Sequence, residues 1–176
     1  YWTGRSPLLF PIVGKAPNDT VTVDGVPFQM SQHGFARRSN FSLMVEESDR
    51  CVYRLSASEA SRAMYPFDFE LDVEHRVEGR AVVVSATVTN RDHKIMPFGI
   101  GFHPAFAWPL PGAEGEAHIV ELDEGGAPAL HRLSGGLVDP KTLSSPFAAG
   151  RLTLDHNLFA DDAMLFPEGA GAGLVY

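Results

Sequence analysis

Hydrophobic and polar residues alternate with a period of two along much of the chain, the pattern of strands with one face buried. In Phe67–Val77 the residues Phe67, Phe69, Leu71, Val73, His75 and Val77 share one parity. Asp68, Glu70, Asp72, Glu74 and Arg76 share the other. Glu78-Gly79 then turns the chain into Ala81–Asn90, a Val- and Thr-rich run of high β propensity, so the two runs predict a hairpin. Asp24-Gly25, a two-residue turn signal, predicts a second hairpin between Thr20–Val23 and Val26–Met30. A third joins Phe41–Glu46 to Cys51–Ser56 across Ser48-Asp49-Arg50. Shorter strands are expected at Ile95–Phe102, Ala117–Leu122, Leu152–Leu154 and Ala163–Phe166. Pro109–Gly115 and Gly125–Gly150, rich in Gly, Pro and Ser, read as loops. With no long amphipathic helix, repeat or linker, the pattern predicts an all-β protein, an antiparallel β-sandwich forming a single domain over residues 1–176.

Composition narrows the class. The 176 residues suffice for one domain, and 44% hydrophobic with 20% charged residues is ordinary for a globular protein. A net charge of −8 argues against nucleic acid or an anionic membrane as partner. It leaves room for an anionic small molecule held by a few local arginines. The single cysteine, Cys51, cannot form an intrachain disulfide, which favours a reducing compartment, the cytoplasm. No apolar run reaches the roughly 20 residues that cross a bilayer, and no signal peptide is visible. The chain opens on Tyr1-Trp2 without an initiator methionine and stops on Gly173-Leu174-Val175-Tyr176, a strand pattern just starting. The expectation is a fragment of a longer chain, incomplete at both ends.

Two histidine turns carry the candidate chemistry. His33 follows a predicted strand in Gln32-His33-Gly34-Phe35-Ala36-Arg37, where Gly34 permits a tight turn and Phe35 anchors it. His103 precedes Pro104, which keeps it extended, and Phe102, Phe106 and Trp108 surround it in sequence. Imidazoles titrate near neutrality and suit proton transfer. Aromatic faces beside polar groups suit a sugar ring, whose C–H faces are apolar and whose edges are hydroxyls. Taken singly, each histidine also fits a plain structural role, bonded to its own backbone or to a core-edge carbonyl. Arg5 and Arg37 offer forked donors for hydroxyls or phosphate, while Arg38 and Arg62 read as solvated. Asp162, at a predicted strand start, can accept from vicinal hydroxyls or cap a turn. His33, His103 and Asp162 lack the close spacing of a metal site, so no metal and no cofactor are expected. A G-x-S-x-G elbow is absent, and the Gly125-Gly126 and Gly135-Gly136 pairs do not lead into helices, so neither serine hydrolysis nor a phosphate loop fits.

Gly4-Arg5-Ser6-Pro7-Leu8-Leu9-Phe10-Pro11-Ile12-Val13-Gly14, His33-Gly34-Phe35-Ala36-Arg37, Gly101-Phe102-His103-Pro104-Ala105-Phe106 and Asp162-Ala163 together resemble the aldose 1-epimerase (galactose mutarotase-like) family. The likeness is nearest to the branch of LacX-like proteins and hexose-6-phosphate 1-epimerases. The resemblance implies a β-supersandwich and interconversion of the α and β anomers of a hexose or hexose phosphate. By that resemblance His103 is the general acid at the ring oxygen, and Arg5, His33, Arg37 and Asp162 bind the sugar or sugar phosphate. Phe102, Phe106 or Trp108 would wall the ring. The family's general base is a glutamate well after the Asp-Ala motif. Here the only acid after Asp162 is Glu168, between Pro167 and Gly169, and its context does not match. A non-catalytic carbohydrate-binding protein on the same fold is the alternative. A sandwich without a ligand would instead scatter His33, His103 and Asp162.

Overall fold

A computed structural model of the chain describes residues 7–169 and 171–176, so Arg5 lies outside the described residues. The chain divides into two compact units, Tyr1–Pro104 and Ala105–Tyr176. The strands of the first unit are β1 (Leu8–Leu9), β2 (Thr20–Val23), β3 (Val26–Gln29), β4 (Ser42–Glu46), β5 (Arg50–Ser56), β6 (Phe69–Glu78), β7 (Ala81–Asn90) and β8 (Gly101–Phe102). They are joined by one short α-helix, α1 (Glu59–Arg62), closed at its start by a Ser58–Ser61 capping box. Strands β4, β5, β6 and β7 form an antiparallel sheet in that order; β2 pairs with β3, and β1 with β8.

The period-two pattern of β6 becomes two chemically distinct faces. Phe69, Leu71 and Val73 are buried together with Phe10, Phe67, Met30, Phe35 and Tyr65 in the core of this unit. Burying each such side chain stabilises the fold by about 1.5–3 kcal/mol. On the other face Arg54 stands opposite Asp72 in register and grips its carboxylate with two bonds of 2.6 Å. Arg50 reaches Glu74 at 2.8 Å, and Arg91 reaches Glu70 at 2.8 Å. The β2–β3 turn has Asp24 and Gly25 at φ 51° and 80°, the left-handed pair that suits the twist of a two-residue hairpin.

The expected strand over Ile95–Phe102 shrinks to β8, Gly101–Phe102. Pro97 has no N–H to give a ladder, and the Gly99 amide instead donates to the Pro11 carbonyl at 2.7 Å.

In the second unit β9 (Ile119–Leu122) lies between β12 (Arg151–Thr153) and β13 (Leu174–Val175), antiparallel to both. Leu122, Phe147 and Leu152 form its buried cluster, with Val120, Leu154, Leu158, Met164 and Phe166 packed around them. The Gly125–Gly150 stretch is not all loop. It holds a small hairpin, β10 (Leu133–Ser134) and β11 (Leu137–Val138), turned by Gly135 and Gly136 at φ 60° and 84°. Those glycines make a turn rather than a phosphate cradle. Ala163–Phe166 is not a strand; it contributes one bridge, Leu165 to His131, before Pro167 ends the run. His118 is buried, accepts from the Leu110 amide at Nε2 (2.9 Å) and lies 3.0 Å from the Glu116 carbonyl through Nδ1. Both ring nitrogens are therefore committed to holding this loop.

Candidate functional site

The His33 turn is built on the segment that follows β1. Its residues His33 and Gly34 both take left-handed backbone, φ 66° and 68°. The Gly34 amide donates to the Ser31 carbonyl at 2.9 Å, and the Ser31 hydroxyl donates back to the Gly34 carbonyl at 3.1 Å. The turn then docks against Phe10, whose carbonyl accepts from the Phe35 and Ala36 amides at 3.0 and 3.2 Å. A side chain at position 34 has no room, because a Cβ there would lie 2.1 Å from the Phe10 carbonyl oxygen.

Gly14 and His33 exchange two hydrogen bonds. The His33 amide donates to the Gly14 carbonyl at 2.7 Å, and the Gly14 amide donates to His33 Nδ1 at 3.0 Å. An Nδ1 that accepts carries no proton, so the neutral ring bears its hydrogen on Nε2. Burial, then the neighbouring Arg37 guanidinium, then His103 hold the His33 pKa below its ordinary value. His33 is thus a neutral ring that presents one N–H.

His103 reaches the same place through β8. Phe102 and Gly101 pair with Leu8 and Leu9 on β1, while the next residue of that segment, Phe10, bridges to Gly34. One short spine therefore carries both histidine turns on its two edges. The rings meet edge to face, 6.3 Å between centroids at 75°. His103 is exposed, with Phe102 beside it 54% exposed. Two residues 70 positions apart in sequence converge because they share β1.

Arg37 sits on the 3-10 turn Ala36–Arg38 that continues from Phe35. Its Nη2 donates to the Gln32 carbonyl at 3.0 Å, and its Nε is buried without a hydrogen-bond partner among the described residues. The side chain also lines a cleft of about 350 Å³ together with Tyr53, Val73, His75 and Phe102. Arg62, expected to be solvated, is exposed and pairs with Asp68 at 2.5 Å.

Asp162 belongs to the second unit. It is exposed and takes a left-handed φ of 65°, a conformation Asp tolerates because its short carboxylate bonds locally. That local bond is present: Oδ1 accepts from the Ala163 amide at 2.8 Å. The half-buried Arg132 donates to the Leu158 carbonyl at 2.9 Å and to the Asp162 carbonyl at 3.1 Å. The same unit stacks Trp108 on His156, 4.3 Å between ring centroids. Glu168 lies exposed in the turn before Gly169. Among the described residues no group of three or more His, Cys, Asp or Glu side chains is placed to hold a metal ion. No helix among them is long and apolar enough to cross a membrane.

Sequence reading missed two positions here. Gly14 belonged to the motif but gave no hint that its amide would hold an imidazole. Arg132 carries no local signal, since its partners lie 26 and 30 residues away.

Residues 1–162 match the family model described as aldose 1-epimerase. The chain is 31% identical over 175 residues to the chromosomal and plasmid LacX proteins of Lactococcus lactis subsp. lactis, covering 93% of this chain and 58% of each relative. Among solved structures it resembles a galactose mutarotase related enzyme from Lactobacillus acidophilus, with TM-score 0.83, 29% identity, and 90% of this chain over 53% of that one. It also resembles a galactose mutarotase-like protein from Lactobacillus casei ATCC 334, with TM-score 0.78, 30% identity, and 89% of this chain over 57% of that one. The chain thus spans little more than half the length of these relatives.

Proposed function

The chain belongs to the aldose 1-epimerase family, and on that premise we propose that the protein interconverts the α and β anomers of a hexose or hexose phosphate by acid–base ring opening. The observation that carries this reading is the convergence of His33 and His103, 6.3 Å between ring centroids, with one ring held neutral as an N–H donor.

The two imidazoles divide the work. His33 cannot take a proton on Nδ1 without losing the Gly14 bond, so it suits holding a sugar oxygen through Nε2–H. His103 is the acid. It protonates the ring oxygen while a base removes the proton of the anomeric hydroxyl. The bond between the anomeric carbon and the ring oxygen breaks, leaving an aldehyde and a new hydroxyl. Rotation about the adjacent carbon–carbon bond presents the other face of the aldehyde, and the proton transfers reverse on closure. No net proton is gained or lost, and no cofactor is needed.

The base is not among the residues assigned here. The LacX relatives, of which this chain spans 58%, leave room for a glutamate outside the matched segment, and the reading places it there. Asp162 and Arg5 accept and donate to sugar hydroxyls. Arg37, with its buried Nε unspent, is the group that would favour a phosphorylated hexose.

Anomer exchange measured by polarimetry or exchange NMR on the full-length protein, with glucose, galactose and glucose 6-phosphate, tests the proposal. His103→Asn is expected to slow exchange by about 10²–10⁴-fold, the usual worth of a general acid. An unchanged rate removes His103 from its role. Sugar binding without exchange in the unmutated protein would instead establish the alternative, a non-catalytic carbohydrate-binding protein on the same fold. Arg37→Met distinguishes substrates: a loss confined to glucose 6-phosphate assigns Arg37 to the phosphate.

A further inference from the structure

Asp162 is held in place by something other than its own turn. Its carboxylate has one oxygen committed, Oδ1 to the Ala163 amide, and Oδ2 makes no hydrogen bond among the described residues. Whether that second oxygen meets a sugar hydroxyl depends on where the turn puts it. The turn is exposed, left-handed at Asp162, and flanked by the 3-10 turn His156–Phe159. Segments of that kind open readily unless they are tied down.

The tie is Arg132. Its guanidinium gives Nη2 to the Leu158 carbonyl at 2.9 Å, and Nη1 to the Asp162 carbonyl at 3.1 Å with the Ala163 carbonyl at 3.4 Å. One planar fork thus spans the 3-10 turn His156–Phe159 and the successive carbonyls of Asp162 and Ala163. The bonds are charge-assisted and share one rigid plane, so they fix orientation as well as distance. Arg132 is itself anchored, because Leu133 next to it opens the β10–β11 hairpin and His131 before it bridges to Leu165. The bridge brings in the segment that follows Asp162, so the brace closes a loop on both sides of the carboxylate.

We infer that Arg132 is a positioning residue for Asp162: it holds the left-handed turn that presents the carboxylate, and so sets sugar affinity without touching the sugar. The inference rests on the sugar-site reading of Asp162. A lysine at 132 keeps the charge but offers one compact ammonium in place of the fork, so it cannot span the three carbonyls at once.

Arg132→Lys, Asp162→Asn and the double variant in the full-length protein provide the test. Arg132→Lys is expected to raise KM for the aldose about tenfold, with kcat changed less than about twofold and the pH–rate profile unmoved. Asp162→Asn should raise KM at least as much, and the double variant should be no worse than Asp162→Asn alone, because the brace acts only through that carboxylate. Hydrogen exchange supplies a readout independent of activity: in Arg132→Lys, amides of residues 158–166 should exchange about tenfold faster, while those of β9 and β12 keep their rates. Multiplying KM effects in the double variant, or unaltered exchange in 158–166, overturns the inference. An active protein impaired by Asp162→Asn but not by Arg132→Lys overturns it alone, leaving the sugar site standing. A protein that neither binds nor interconverts any of the three sugars overturns the sugar-site reading, and the inference with it.

Discussion

At the residue scale, the Gly14–His33 pair shows how a backbone amide chooses the chemistry of a side chain. Donation into Nδ1 leaves His33 only Nε2–H, and protonation would break that bond. Its pKa lies below the ordinary 6.5, with burial as the largest cause and the Arg37 guanidinium next. As pH falls below 6.5 the unfolded chain takes up its proton first, so folding stability drops and levels off once the pH is beneath the folded value. His33→Asn cannot take a proton, and its melting temperature is expected to vary less over this acid window than that of the unmutated protein. Gly34 is constrained from another side. Its φ of 68° and the Phe10 carbonyl 2.1 Å from any Cβ leave alanine neither conformation nor space. Gly34→Ala should cost about 3 kcal/mol or more in chemical denaturation, since the neighbouring atom is backbone and cannot swing aside.

At the scale of elements, β5 and β6 place opposite charges across a shared face. Arg54 and Asp72 face each other in register, and the two-bond grip by the guanidinium holds the Asp72 carboxyl below the usual carboxylate range. The unfolded carboxyl, near 3.8, protonates before the folded one as the pH falls. The stabilisation is thus present above 3.8 and is lost as the pH drops through the folded value. Asp72→Asn should flatten the acid limb of the stability curve as the pH falls through and below 3.8, read from urea midpoints. Arg54→Met is expected to lower stability only slightly at neutral pH, and less at high salt, because the pair is partly solvated. The strand β8 shows the opposite dependence. It is two residues long, and its pairing with β1, rather than any propensity of its own, carries His103 to the site.

At the scale of the molecule, the two units differ in how much they bury. Among the described residues the first gathers Phe10, Met30, Phe35, Leu55, Tyr65, Phe67, Phe69 and Leu71 into one cluster, with Phe10 fully covered. The second has Leu122, Phe147 and Leu152 at its centre. Exchange protection should follow that difference, with the amides of β5, β6 and β7 slower than those of β9 and β12. Phe10 joins this core to the site: its ring packs against Phe35, Tyr65 and Phe69, while its carbonyl receives the His33 turn. Phe10→Ala should lose about 3–5 kcal/mol of stability, measured by denaturant unfolding. The same face of the sheet that is buried at Leu71 is open at its far end, where Val77 and Val82 are 53% and 70% exposed.

What the sequence determined by itself was whatever depends on neighbours in the chain. Period-two alternation placed β6 and β7, and Asp24-Gly25 placed the β2–β3 hairpin, because side-chain parity and left-handed turn residues act locally. The family and the order of its motifs were legible for the same reason, in His33-Gly34-Phe35-Ala36-Arg37 and Gly101-Phe102-His103-Pro104. The expected strands at Ile95–Phe102 and Ala163–Phe166 failed where a proline removed a ladder donor or ended the run. The convergence of His33 with His103, the tautomer of His33 and the brace on Asp162 were decided only by tertiary structure. Each depends on a backbone group far away in sequence: the two edges of β1 with Phe10, the Gly14 amide, and the carbonyls that Arg132 gathers. A backbone amide or carbonyl looks the same at every position, so no residue letter can announce which one a side chain will find.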